Sequence, residues 1–148
     1  MSRKNQLNIG NFTSMETKNG KVITLNKKEF KAKIFDYSFT KEWNYKGEIP
    51  AVIDFYADWC MPCKMVVPLL NQLSEEYDGR VKFYKINTEK DPEVAKLFGI
   101  SSIPTLLFIA HAGNPTVVRG AQSIGALRKN IERILPDAKP GFLKRLFS

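Results

Sequence analysis

Residues 51–64 constrain the fold of this chain more than any other stretch: Ala51-Val52-Ile53-Asp54-Phe55-Tyr56-Ala57-Asp58-Trp59-Cys60-Met61-Pro62-Cys63-Lys64. An apolar run, interrupted by one carboxylate at Asp54, ends in a Cys-x-x-Cys pair. Helical periodicity begins at once, with Val66, Leu69, Leu70, Leu73 and Tyr77 at steps of three and four. The pattern predicts a strand buried on both faces that hands over to a helix. The two cysteines, the only ones among 148 residues, stand at the handover.

That placement has chemical content. The first turn of a helix exposes unpaired backbone N–H groups and a partial positive charge. A thiolate held there is stabilised, and its pKa falls below the usual value of about 8.5. Pro62 falls inside the first turn, where a missing N–H costs nothing. Cys60, at the helix start, is expected to be the exposed and attacking thiolate, with Cys63 one turn inside and less exposed. Two cysteines three apart can reach each other within disulfide geometry, and such a pair is suited to thiol–disulfide exchange. A static structural disulfide is the alternative, although so short a loop makes a poor staple. Asp54, six residues before Cys60, is expected to be buried with a raised pKa.

The rest of the chain alternates strand and helix. Lys21 to Leu25 reads as a short strand, and Asn26 with Glu29 three residues on forms a capping-box pattern. A helix from Lys27 to about Tyr37 follows, then Phe39, Trp43 and Tyr45 in a packed loop or a second short helical piece. After the central strand, a helix runs from about Met61 to Asp78 with Pro68 inside it, which should bend it. Val81 to Ile86 is the next strand. Asp91-Pro92-Glu93 reads as an N-cap, first-position proline and acidic first turn, and Gly99 stops that helix. Leu106 to Ile109 and Thr116 to Arg119 read as a hairpin across the His111–Pro115 turn. Ser123 caps a last helix carrying Leu127, Ile131 and Ile134. This order implies an α/β domain with a central mixed β-sheet and helices on both faces. Residues 1–20 read as a flexible basic extension, 21–135 as the domain, and 136–148 as a short basic amphipathic tail.

Charge narrows the choice of partners. The net charge of +8 is unevenly placed: residues 1–33 carry eight basic and two acidic groups, 34–135 twelve of each, and 136–148 three basic and one acidic. The body is neutral, so no nucleic-acid groove is expected on it. No run of eighteen apolar residues is present, as a membrane-spanning helix requires. The N-terminus has signal-peptide charges without a hydrophobic segment behind them. The chain is therefore expected in the cytoplasm, or in the periplasm if a signal peptide has been removed. His111, the single histidine, lies in a turn far from the cysteines, so no metal centre is expected. No glycine-rich nucleotide loop is present, so no cofactor beyond the Cys60–Cys63 pair is expected.

These residues resemble the thioredoxin family. Trp59-Cys60-Met61-Pro62-Cys63-Lys64 after the buried strand is similar to its active-site segment. Ile100-Ser101-Ser102-Ile103-Pro104-Thr105-Leu106 is similar to its cis-proline loop. Lys85-Ile86-Asn87 resembles the third strand and Val118-Arg119-Gly120-Ala121 the end of the last one. The likeness covers roughly residues 21–135. Met61 stands where the family usually has Gly, and Tyr56 where Trp is common. The segment from Tyr37 to Glu48 is longer than the family's usual connection. With Trp43-Asn44-Tyr45 it is similar to an insertion in Bacteroides-type thioredoxins, some of which work in the periplasm.

The resemblance implies a thioredoxin fold and a protein-disulfide reductase working through a Cys60/Cys63 dithiol–disulfide cycle. It implies that Cys63 resolves a mixed disulfide on Cys60 and that Asp54 relays its proton. Lys85 would tune Asp54, and Pro104 would follow a cis peptide bond and pack on the cysteine pair. Trp59, Met61, Ile103, Gly120 and Ala121 would form the substrate-binding rim. The implied partners are proteins with disulfides and a thioredoxin reductase or membrane electron donor, with the chain a monomer. Two alternatives stand beside this one: an envelope oxidant, isomerase or delivery reductase, and a non-catalytic adaptor on the same scaffold.

Overall fold

Pairing across the central strand decides the architecture. In the computed structural model, which describes residues 21–138, five strands form one sheet. They are β1 (Val22–Thr24), β2 (Ala51–Tyr56), β3 (Lys82–Asn87), β4 (Thr105–Ile109) and β5 (Thr116–Arg119). The spatial order is β1-β3-β2-β4-β5, with β1, β3 and β2 parallel and β4 and β5 antiparallel additions. The sheet is mixed, as the strand and helix order implies. β2 sits in the middle because all but the last of its side chains are buried.

Among the described residues four helices cover the sheet: α1 (Lys27–Lys33), α2 (Met61–Glu76), α3 (Pro92–Leu97) and α4 (Ile124–Ile134), with a 3-10 turn at Pro136–Ala138. The twofold alternation of a strand sorts the core between them. Ala51, Ile53 and Phe55 face α1 and α3, beside Phe30, Ile34, Val94 and Ala95. Val52 faces α2 and α4, beside Val66, Leu70, Leu73, Leu127 and Ile131. Each large side chain fully buried in these layers contributes about 1.5–3 kcal/mol. Asp54, two residues from Val52, therefore points to the face that α2 covers.

Two local readings change. α1 ends at Lys33, not near Tyr37. The N–H groups of Ile34 and Phe35 both donate to Phe30 O, and Lys46 N then donates to Ile34 O, so the chain leaves the helix axis. Phe35 and Trp43 pack at 5.0 Å between ring centroids and Trp43 meets Phe98 edge-on, so the inserted segment is a packed loop without a second helix. Asp91 makes no side-chain cap on α3. Its carboxylate accepts from Lys27 N at 3.0 Å instead, so it closes the first turn of α1 beside the Asn26–Glu29 capping box. Pro68 does lie inside α2, and Gly79, at φ +80°, follows its end. The amphipathic stretch expected at Pro140–Phe147 lies outside the described residues.

Candidate active site

Cys60 is the N-cap of α2, with extended backbone, followed by Met61 and Pro62 in the first turn. A cap residue accepts from a backbone N–H in that turn. Here the acceptor is sulfur: Cys63 N donates to Cys60 Sγ at 3.2 Å. A backbone N–H in this position favours negative charge on the sulfur it meets. The two cysteines are joined as a disulfide with Cα atoms 5.3 Å apart.

The expectation that Cys60 is the exposed member does not hold for this oxidised form. Cys60 is 3% exposed and Cys63 2%. Ala57, Tyr56 and Ile103 pack around the pair, so both sulfurs lie under apolar cover. Tertiary packing overrides the exposure that a helix terminus alone implies.

Asp54 lies on β2, the strand that leads to the cysteines. It is 1% exposed and its Oδ1 has no hydrogen-bond partner. Burial pushes its carboxyl up to about 7, and the charge of Lys85 pulls the other way. The register explains the pairing, because Asp54 on β2 stands directly opposite Lys85 on β3. The Lys85 ammonium lies 5.6 Å over the Tyr56 ring. A cavity of about 70 Å³ is lined by Asp54, Lys85, Val22, Val67, Leu70 and Asn71. That volume has room for water. A second, more open pocket of about 210 Å³ shares Lys85 and Val67 and reaches Cys63, Tyr56 and Asp58. The buried carboxyl and the inner cysteine thus border neighbouring pockets with a common wall.

The cis bond between Ile103 and Pro104 is present, and Pro104 is buried. Gly120 N donates to Pro104 O at 2.8 Å, which brings the end of β5 beside that loop. Gly120 has φ +90°, a conformation L side chains rarely adopt. The structure so brings Ile103, Pro104 and Gly120 together, with Ala121 exposed next in the chain. Trp59 is 68% exposed and Met61 65%.

Glu89 is a neighbour of the site that the sequence reading missed. Trp59 Nε1 donates to Glu89 Oε2. The turn after β3 fixes that carboxylate: Asn87 Oδ1 accepts from Glu89 N and Lys90 N, and Thr88 donates twice to Tyr56 O. The available signal was a carboxylate just beyond the C-terminal end of a central parallel strand, where α/β sheets place their sites. His111 is far from all this. It lines a surface pocket with Trp43, Asn44 and Tyr45 at the other end of the sheet, beyond Ile109, which pairs with the first residue of β2. Among the described residues, no three His, Cys, Asp or Glu side chains come together as a metal site.

Comparison with known proteins agrees with this geometry. The thioredoxin family profile matches residues 21–133. The chain is 42% identical over 116 residues to a thioredoxin of Borreliella burgdorferi, covering 78% of this chain and 95% of that one. It is 39% identical over 102 residues to a thioredoxin of Synechocystis, covering 69% and 94%. Against the chloroplastic M-type thioredoxin of Spinacia oleracea it is 38% identical over 95 residues, 64% of this chain and 52% of that protein. Among solved structures, chloroplastic thioredoxin z superposes with a TM-score of 0.64 at 24% identity, over 77% of this chain and 94% of that one.

Proposed function

Because the chain belongs to the thioredoxin family, and is a thiol–disulfide oxidoreductase, we propose that it works as a reductant of protein disulfides. The observation that carries this reading is the Cys60–Cys63 disulfide at the N-cap of α2, together with the buried Asp54 carboxyl, whose Oδ1 has no partner and which lines a cavity adjoining the one that reaches Cys63.

In the reduced protein the Cys60 thiolate attacks one sulfur of a substrate disulfide. A Cys60–substrate bond forms, and the other substrate sulfur leaves as a thiolate that takes up a proton. Asp54 accepts the proton of Cys63 by way of the two adjoining pockets, one lined by Asp54 and the other by Cys63, with Val67 and Lys85 common to both. The Cys63 thiolate then attacks Cys60 Sγ, the second substrate thiolate leaves, and the Cys60–Cys63 bond is restored. Two electrons have passed to the substrate. Lys85, opposite Asp54, keeps the carboxyl from rising further. Ile103, before the cis bond, offers its backbone to an extended substrate strand. Trp59, Met61, Gly120 and Ala121 supply the surrounding rim.

The domain responsible is residues 21–135. The partners in this proposal are proteins bearing disulfides and, to recharge the dithiol, a thioredoxin reductase or a membrane electron donor.

The test is the reduction potential of the Cys60–Cys63 pair, measured by equilibration against dithiothreitol or glutathione mixtures. Thioredoxins lie near about −270 mV and strong periplasmic oxidants near about −120 mV. A potential at or below about −250 mV agrees with a reductant. A potential near about −150 mV overturns it in favour of disulfide formation or shuffling.

A further inference from the structure

The outward face of α2 breaks the usual pattern of an amphipathic helix, and only at one end. Its inward face is Cys63, Val66, Leu70, Leu73 and Ser74. A helix covering a sheet normally turns polar side chains to water. In the last two turns of α2 it does so: Asn71, Gln72, Glu75 and Glu76 are the exposed residues. In the first two turns the exposed residues are Met61, Pro62, Lys64, Met65, Val67 and Pro68, with Lys64 the single charge. The apolar surface is confined to the two turns next to the disulfide.

Met61 and Met65 stand at i and i+4, one above the other on the same stripe. They are 65% and 66% exposed. The chain has four methionines, and none of the described ones is in the core. Methionine is a flexible filler of apolar contacts and recurs at surfaces that dock varied partners. The occupant of this surface is set by the reaction. A substrate covalently joined to Cys60 has its own chain at the N-terminus of α2, so the residues flanking its cysteine lie within reach of Met61 and Met65.

We propose that Met61 and Met65 form a thioether ledge that receives the apolar residues flanking the attacked cysteine of a protein substrate, and that this ledge selects among protein disulfides. The proposal rests on the reductant reading and names its substrate class: segments with apolar side chains beside the disulfide. The two thioethers adapt to different apolar shapes, so the ledge discriminates polarity more than shape. Met61 is also one of the two residues between the cysteines, so it couples recognition to the redox centre. Met65 lies outside the Cys-x-x-Cys spacer and separates the two effects.

The experiment compares two disulfide-linked peptide dimers of equal length and charge, one with Leu and one with Ser on both sides of the cysteine. The pre-reduced protein is mixed with each, and the rate of free peptide thiol release is followed. The wild type is expected to prefer the Leu peptide by about tenfold. In Met65→Gln the ratio should fall to about a third of that, and in the Met61→Gln/Met65→Gln double variant to within about twofold of unity. The ratio is internally controlled, because a change in potential scales both rates alike. Both substitutions are on the surface of a helix that tolerates Gln, and equal thermal unfolding midpoints confirm folding. A wild type without preference, or a double variant that keeps the full preference, overturns the ledge. A wild type that reduces neither peptide overturns the reductant reading, and the ledge with it.

Discussion

The indole N–H of Trp59 donates to the carboxylate of Glu89, thirty residues away in the chain. One partner flanks the reactive disulfide, and the other sits in a turn whose backbone Asn87 pins through two accepted hydrogen bonds. The rim of the site is therefore anchored to β3 as well as to the helix that carries the cysteines.

Glu89 is a positioning residue for Trp59. Glu89→Ala should raise KM for a protein disulfide by about three- to tenfold, the size of one typical solvent-exposed hydrogen bond, and leave kcat within about twofold. Glu89→Gln retains an oxygen acceptor and should restore most of the loss. Steady-state reduction with Trp59 fluorescence checks both. A Gln variant as impaired as the Ala variant would instead mean that the charge, not the indole contact, matters.

Asp54 should make the fold weaker as pH rises. An unfolded aspartate titrates near about 3.9, whereas the buried carboxyl titrates at about 7. Between these values the unfolded chain has released a proton that the folded chain still holds, so stability falls across this window and levels off above it. With three units at 1.36 kcal/mol each, the loss is on the order of 4 kcal/mol. Asp54→Asn removes this dependence. Urea unfolding of the oxidised forms should give variant and wild type a small, pH-independent difference below about pH 4 and a gap of several kcal/mol in the variant's favour at pH 8. Parallel curves across that range would mean Asp54 is ionised in the fold without penalty.

The same substitution should cost activity. General-base assistance is typically worth 10²–10⁴-fold, and a pocket open to water retains part of it, so a drop of about ten- to a hundredfold in kcat is expected for Asp54→Asn. The inflection near pH 7 in the wild-type profile should disappear. A pH–rate profile of the release step measures both.

Cys63→Ser should trap a protein substrate on Cys60 as a complex that dithiothreitol releases, because no resolving thiol remains. Cys60→Ser should trap nothing. Non-reducing electrophoresis of each reduced variant, mixed with a disulfide-bearing protein, reads the result. The reverse outcome would exchange the two roles.

At the start of α1, Asn26 and Asp91 each satisfy a different first-turn donor, Glu29 N and Lys27 N. Asn26→Ala should cost about 1 kcal/mol, with a range of roughly 0.5–2. Asp91→Ala should cost a similar amount although it lies sixty-four residues away, and chemical unfolding measures both.

The strands and most helix limits were readable because they follow from local periodicity and caps: Ser123 does accept from Ala126 N, and Asn26 and Glu29 do form the reciprocal box. What escaped depends on partners distant in sequence. α1 stops at Lys33 because Lys46 N reaches back to Ile34 O. Cys60 is covered because Ile103 packs on it. Asp91 looked like the cap of its own helix and caps another. Of the site, the cysteines, Asp54 and Pro104 stand out in the sequence by residue type and context. Glu89 does not, because a carboxylate in a polar turn has no local mark of the indole it meets.

The order of the pieces along the chain has a consequence for synthesis. Ile103, which covers the disulfide, lies forty residues beyond Cys63. At roughly 5–20 residues per second a ribosome needs about 2–8 s to make that stretch. The neighbours of β2 on both sides, β3 and β4, also come later than β2 itself. During that interval the nascent chain presents two thiols with neither the sheet nor the covering loop in place. The growing protein is, for those seconds, open to oxidation by the disulfides around it.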